Sequence, residues 1–327
     1  MLEVLTQLME SGQYEESLRL AEQQLIRGGW NLSQLAQINL VICRCRLGLQ
    51  DPYGAVPSGL LATKLARDIG EWDLLGRALL NLGTAYVGIR QYDQALHQFY
   101  SYFEHSFRYT TSRRLEGAIW KHIGVAHQHK LESPKAIEAL NKARAWFTAN
   151  DVDLSAFTVT HDLVNTYLGM HDRNAETSLD PVVDLLAFER SIVRKFPTET
   201  FYAGTYLLDR ASYYLQCGRL GRAIICAMQV LEVRKGDHSL AFYAHMVLHR
   251  CTKLTGNAKQ ALGYALAARV EALKERRYEL EFLASQAMAD VIRQQGTEVV
   301  RELDEEYQAM GIDLGQYLSP SLLRRDN

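Results

Sequence analysis

Polar breaks cut the hydrophobic pattern of this chain into segments of helical length. None of these segments alternates apolar and polar residues as a half-buried strand does. The pattern predicts eight antiparallel helix pairs: 1–10 with 14–27, 33–48 with 54–69, 72–88 with 92–108, 113–130 with 134–149, 153–170 with 181–195, 198–216 with 220–234, 238–254 with 258–274, and 277–294 with 297–310. The breaks carry turn chemistry, as in Ser11-Gly12-Gln13, Gly28-Gly29 and Asp51-Pro52-Tyr53-Gly54. Ser133 reads as an N-cap ahead of Pro134, and Asp180 as a cap ahead of Pro181. Residues 171–180 form a polar insertion in the fifth pair. The expected organisation is a helical array over 1–310 and a fraying tail over 311–327, where Gly311, Gly315 and Pro320 interrupt the pattern.

Small and aromatic residues recur at a spacing of about 40. Cys43, Gly83, Gly124, Val164, Ala211, His249 and Ala287 are separated by 40, 41, 40, 47, 38 and 38 residues. Ala55, Ala95, Ala136, Ala223 and Ala261 form a second series in the partner helices. Two antiparallel helices approach closely only where a small side chain sits at their crossing, which explains one such residue on each helix. The insertion at 171–180 accounts for the 47-residue gap.

Two stretches carry the pattern most specifically. Leu82-Gly83-x-x-Tyr86 is followed by Tyr92-Asp93-x-Ala95 and Phe99, and Trp120-x-x-Ile123-Gly124 by Pro134-x-Ala136, Leu140 and Ala143. These features resemble the tetratricopeptide repeat in a long form of about 40 residues. The resemblance spans nearly the whole chain and is most specific over 76–108, 116–146 and 201–230. It implies an all-α fold, a right-handed α-solenoid of about eight helix pairs.

Composition narrows the function. With 36 basic and 38 acidic side chains the net charge is −2, without the basic excess or Lys/Arg-rich arm of nucleic-acid binders. No apolar run approaches the 18 residues of a membrane span, and the start Met1-Leu-Glu-Val-Leu lacks a basic leader, so a cytoplasmic protein is expected, with neither nucleic acid nor membrane as a direct partner. Cys217, Cys226 and Cys251 read as small core residues, and Cys43 and Cys45, two apart on one helix, point about 200° apart and cannot form a chelating pair. His122, His127 and His129 lack the i, i+4 spacing of a helical zinc pair. His245 and His249 have that spacing without a Glu after His245. No phosphate loop, nucleophile elbow or paired-carboxylate motif is present, so no enzyme, metal or cofactor is expected.

In tetratricopeptide arrays the first helix of each pair lines the concave surface, and helical spacing from the small residues identifies the inward rows. These rows place Arg44, Arg77, Lys121, Gln128, His161, Asn165, Tyr243, Arg250 and Lys253 in a groove, with Leu, Val and Met between them and Glu281 as the one carboxylate. Asn and Gln can pair with a peptide backbone, cations with its carboxylates or C-terminus, and apolar pockets with its side chains. A peptide or protein partner with acidic residues or a free C-terminus is therefore expected, and a homodimer is left open. The chain also resembles the peptide-binding domains of quorum-sensing receptors of the Rap and PlcR group. Those hold a short signalling peptide in the groove, partly by Asn; Asn165, Gln128 and the nearby cations match in kind. The rival readings are a protein–protein adaptor without a small ligand, and the regulatory repeat region of a MalT-type transcriptional activator system.

Overall fold

The computed structural model describes residues 2–105, 113–233, 236–296 and 298–309. Among them it contains sixteen helices and no strand. In chain order these are α1 (Leu2–Glu10), α2 (Tyr14–Arg27), α3 (Leu32–Gly48), α4 (Pro52–Asp68), α5 (Trp72–Gly88), α6 (Tyr92–His105), α7 (Arg113–His129) and α8 (Ser133–Ala149). They continue as α9 (Asp153–Arg173), α10 (Asp180–Lys195), α11 (Thr200–Gln216), α12 (Leu220–Val233), α13 (His238–Leu254), α14 (Ala258–Lys274), α15 (Tyr278–Gln295) and α16 (Glu298–Ala309). The expected tail 311–327, with Pro320, lies outside the described residues. The chain divides into two compact units, Met1–Thr166 and Tyr167–Asn327, and the division falls within α9.

One turn recurs throughout. Two residues before the next helix, the backbone enters the left-handed region at Gly12, Gln50, Gly70, Arg90, Leu131, Asp151, Gly218, Gly256 and Arg276. At Arg90 the N–H donates to Val87 O (3.0 Å) and the following Gln91 N–H to Tyr86 O (2.8 Å), the paired bonds that satisfy the last carbonyls of a helix. Leu131 and Glu132 repeat the pair with Gln128 O and His127 O, both at 2.9 Å. Side chains close the opposite ends. Asn31 and Gln34 form a reciprocal capping box on α3, and Asp237 and Asn257 cap α13 and α14.

Several boundaries differ from expectation. Helix α4 starts at Pro52, because Pro fits the first helical position and Asp51 accepts the Gly54 N–H at 2.8 Å. Ser133 is the buried first residue of α8 and does not cap it; Glu132 holds the cap position without a side-chain bond. Asp180 likewise lies inside α10, and the Ser178 hydroxyl accepts its N–H at 3.1 Å. Helix α9 also runs to Arg173, which shortens the expected insertion to residues 174–179.

The small residues lie where the helices cross. Every member of both series is buried, and a Cβ on Gly83 would stand 2.2 Å from Phe99 Cε1. A Cβ on Gly124 would meet Leu140 Cγ at 2.5 Å and the Ala136 carbonyl oxygen at 3.3 Å. The close approach lets Phe99 and Tyr102 be buried among Leu75, Leu79, Ile119 and Ile123. Each such large apolar side chain contributes roughly 1.5–3 kcal/mol. Unit 2 repeats the scheme with Ala223, Ala227, Leu248 and Cys251, and again with Ala265, Met288 and Leu303.

Besides packing on their neighbours in sequence, the odd-numbered helices touch one another. The contacts run α1–α3, α3–α5 and α5–α7 in unit 1, and α11–α13 and α13–α15 in unit 2. In unit 1 this layer carries the candidate site.

Candidate ligand-binding face

Two adjoining recesses open on the odd-helix layer of unit 1. The first, about 280 Å³, is lined by Leu2, Thr6, Gln37, Leu40, Val41, Glu71, Asp73, Leu74 and Arg77. The second, about 300 Å³, is lined by Met9, Leu40, Val41, Arg44, Arg77, Leu80, Asn81, Thr84, Leu115 and His122. Helices α3 and α5 contribute to both, and Leu40, Val41 and Arg77 are shared. Arg44 and Arg77 are exposed, and neither has a carboxylate partner among the described residues. An apolar floor under two unneutralised guanidiniums suits a ligand that presents an oxyanion beside an aliphatic group.

His122 joins the second recess as an uncharged group. Burial, with the charges of Lys121 and Arg44 beside it, pulls its pKa down to about 4. Its ring stands 5.8 Å from that of Phe99. At neutral pH the imidazole can give or take a hydrogen bond without adding charge.

The other expected contacts in unit 1 are engaged within the fold. Lys121 Nζ lies 3.8 Å from Asp162 Oδ2. Gln128 Nε2 donates to Asp162 O (2.7 Å) and Thr166 Oγ1 (2.5 Å), tying α7 to α9. Asn165 Nδ2 lies 3.0 Å from His161 Nε2, and Asn165 is exposed.

Unit 2 holds Tyr243, Arg250 and Lys253 on α13. Tyr243 is exposed and packs edge-on against Phe242. Arg250 Nη2 lies 3.3 Å from Asp172 Oδ1, which also accepts from Gln216 Nε2 at 2.5 Å. Lys253 Nζ lies 4.0 Å from Asp290 Oδ2. The cations of this unit thus face carboxylates that the inward rows omit. Asp172 continues the spacing 158, 161, 165, 168 by one more turn, and an α9 expected to stop near 170 hides it. Asp162 and Asp290 sit one residue off their rows.

Two of the expected rows belong to the core. Thr205, Leu208 and Leu215 of α11 are buried, the two leucines against α12 and α13. Ala284, Met288 and Val291 of α15 are buried too, with Met288 and Val291 packed against α14 and α16. Only Ser212 and Glu281 of the two rows stay partly exposed.

The histidines at the crossings pack. His249 Nδ1 lies 2.8 Å from Ala261 O, and burial lowers its pKa, so the neutral ring donates to the carbonyl. Buried His127 lies 2.7 Å from Glu132 Oε2, a bond that holds the Glu132 carboxyl below its ordinary range. One further ionisable group stands apart. Glu189 on α10 is wholly buried, and neither of its carboxyl oxygens accepts a hydrogen bond among the described residues. Asp209 on α11 places an oxygen within 4.8 Å of it. Burial and that second carboxyl push the Glu189 pKa well above the usual carboxylate range.

No family model matches the chain, and no curated protein matches it by sequence. Solved structures do match. The apo form of RapI aligns with a TM-score of 0.65 over 94% of this chain and 85% of its own, at 11% identity. The apo form of the quorum sensor NprR from B. thuringiensis aligns with a TM-score of 0.59 over 95% of this chain and 93% of its own, at 12% identity. The fold is the tetratricopeptide solenoid of Rap-type regulators. The expected all-α repeat architecture is therefore correct, and such low identity carries the likeness no further than fold. No described helix is long and apolar enough to cross a membrane.

Proposed function

We propose that this chain is a non-enzymatic regulatory receptor that holds a peptide or protein segment on the odd-helix layer of unit 1. The observation that carries the reading is the pair of exposed, unneutralised guanidiniums, Arg44 and Arg77, over an apolar recess. The likeness to a quorum sensor of the same fold supports it. Arg44 and Arg77 are the primary contacts for an acidic residue or a terminal carboxylate. Lys121, Gln128, His161 and Asn165 flank them along the layer. In unit 2, Tyr243 offers an aromatic contact, whereas Arg250 and Lys253 contribute only where a ligand displaces Asp172 and Asp290.

Each charge-assisted bond contributes roughly 1.5–3 kcal/mol when shielded from water. A ligand retained from the native host should therefore lose at least tenfold in affinity to Arg44→Glu/Arg77→Glu. It should also weaken between about 0.1 and 1 M salt, as the screening length shrinks from about 10 Å to about 3 Å. Undiminished binding by the double variant would overturn the site.

A second reading has its own observation. Tyr278, Phe282 and Leu283 on α15 are 77%, 62% and 47% exposed, a concentration of large apolar side chains suited to a protein partner. An adaptor that works through this face would lose its partner to Phe282→Asp and keep it in the arginine variant.

A further inference from the structure

Unit 2 carries a pair of cations of its own without carboxylates, on the seam of α11 and α12. Tyr206, Arg210 and Tyr214 follow one another at four-residue intervals along one face of α11, and Arg222 joins them from the first turn of α12. The Arg210 guanidinium carbon stands 5.4 Å from the centre of the Tyr206 ring and 5.7 Å from that of Tyr214. That of Arg222 also stands 5.7 Å from the Tyr214 ring. Neither arginine has a carboxylate partner among the described residues.

Arg210 is the costlier of the two. It is half-buried, and burial opposes its charge; the groups that favour the charge are Tyr214, Cys226 and Tyr206, with no carboxylate among them. Asp209, next in sequence, is buried a third of a turn away, with an oxygen within 4.8 Å of Glu189. A guanidinium that gives up water without meeting an anion is expensive, and aromatic contacts offset only part of that. Arg222 adds a second cost. It lies in the first turn of α12, where the helix dipole disfavours a cation and no Asp or Glu compensates. Two positive charges thus flank one phenol, which Arg210 holds below its ordinary pKa through a side-chain hydrogen bond.

We infer that Arg210, Tyr214 and Arg222 form a site for a phosphate dianion, free or carried by a small monoester, separate from the odd-helix face of unit 1. The charges match, two guanidiniums against two negative charges, where a carboxylate offers one. Guanidinium forks and a phenol hydroxyl supply the several donors that a tetrahedral oxyanion accepts. The rings of Tyr206 and Tyr214 hold the Arg210 fork in place beforehand, so binding immobilises less than it would at an ordinary surface arginine. Arg222 is exposed, and its long side chain can swing onto the anion at the Tyr214 hydroxyl.

The test titrates the whole chain by calorimetry at low salt with inorganic phosphate, phenyl phosphate, sulfate and acetate. Both phosphates should bind, and acetate at least tenfold more weakly. Affinity for phenyl phosphate should rise at least threefold between about pH 5 and 7.5, because a phosphate monoester loses its second proton near pH 6. Sulfate, a dianion throughout, should show no such rise. Tighter binding of phenyl phosphate than of phosphate assigns the site to a monoester, and equal binding assigns it to the free anion. Arg222→Gln should weaken both at least threefold, and Arg210→Gln/Arg222→Gln at least tenfold. Tyr214→Phe keeps the ring and should cost at least twofold. Arg222 is exposed, and an unchanged helical signal confirms that the variants fold. Absence of binding at millimolar phosphate, or no preference over acetate, overturns the site. Binding kept in Arg222→Gln and lost in Arg44→Glu/Arg77→Glu places the anion in unit 1 and overturns it too, while leaving the proposed receptor face standing.

Discussion

Substituting Gly83 by Ala tests the packing logic of the array with the smallest perturbation available. The added Cβ would stand 2.2 Å from Cε1 and 2.7 Å from Cδ1 and Cζ of Phe99. An ordinary contact begins near 3.4 Å, so the ring must retreat by about 1 Å. Phe99 is wholly buried, so there is no solvent to retreat into. Overpacking of this kind costs roughly 2–3 kcal/mol, and the better helix propensity of Ala returns about 1 kcal/mol. The net loss is about 1–2 kcal/mol, a fall of about 2–8 °C in the melting temperature for a unit of this size. Gly221 provides the control, since it lies in α12 with nothing within 4 Å of its would-be Cβ. Gly221→Ala should leave stability unchanged or raise it by up to about 1 kcal/mol. Thermal melts followed by circular dichroism give the order of the three proteins. Hydrogen exchange locates the loss in α5 and α6, because repeat arrays need not unfold as one unit. Shortening the ring in Gly83→Ala/Phe99→Leu should recover part of the loss, a coupling of at least about 0.5 kcal/mol. Equal stability of Gly83→Ala and Gly221→Ala would refute the crossing proposed for every repeat.

Three further outcomes are expected. The raised pKa of Glu189 means that the unfolded chain releases this proton first, so its contribution is complete below about 4.5 and declines as pH rises towards the folded value; Glu189→Gln should be more stable relative to the native chain at pH 8 than at pH 5 in urea titrations, and a pH-independent difference would count against it. Of the five cysteines Cys217 alone is exposed, and burial pushes the Cys43 thiol up to about 12, so thiol titration at pH 8 should find one fast-reacting group in the native protein and five after denaturation. Leu131 is 66% exposed and held at φ 60°, so Leu131→Gly should raise the urea midpoint by the equivalent of about 0.5–1 kcal/mol, and a lowered midpoint would show that the left-handed turn carries no strain.

The candidate site was only partly legible in the sequence. Arg44 and Arg77 follow from helical spacing alone, because each lies on a first helix at a fixed offset from a small crossing residue, Arg44 one residue after Cys43 and Arg77 six residues before Gly83. The recess they share with Met9, Leu115 and His122 depends on four helices meeting, which no local pattern encodes. The partners of Lys121, Arg250 and Lys253 were equally hidden. Asp162 and Asp290 lie one residue off the rows, and at about 100° per residue a side chain on a neighbouring position still reaches the same cation. The inward reading of Leu208, Leu215, Met288 and Val291 failed for a related reason. A row on a helix reports which residues share a face, and only the neighbouring helices decide whether that face is covered.

What the chain determines by itself is therefore the array of helix pairs. Small residues recurring about every 40 positions fix where helices cross, polar breaks with left-handed turns fix where they end, and both act over a few residues. The tertiary structure decides which charges remain available for a ligand. Neutralisation of Arg250 by Asp172 spans 78 positions of sequence, whereas Arg44 and Arg77 are exposed and have no carboxylate partner among the described residues. Electrostatic pairing acts through distance in space, and spacing along one helix cannot report it.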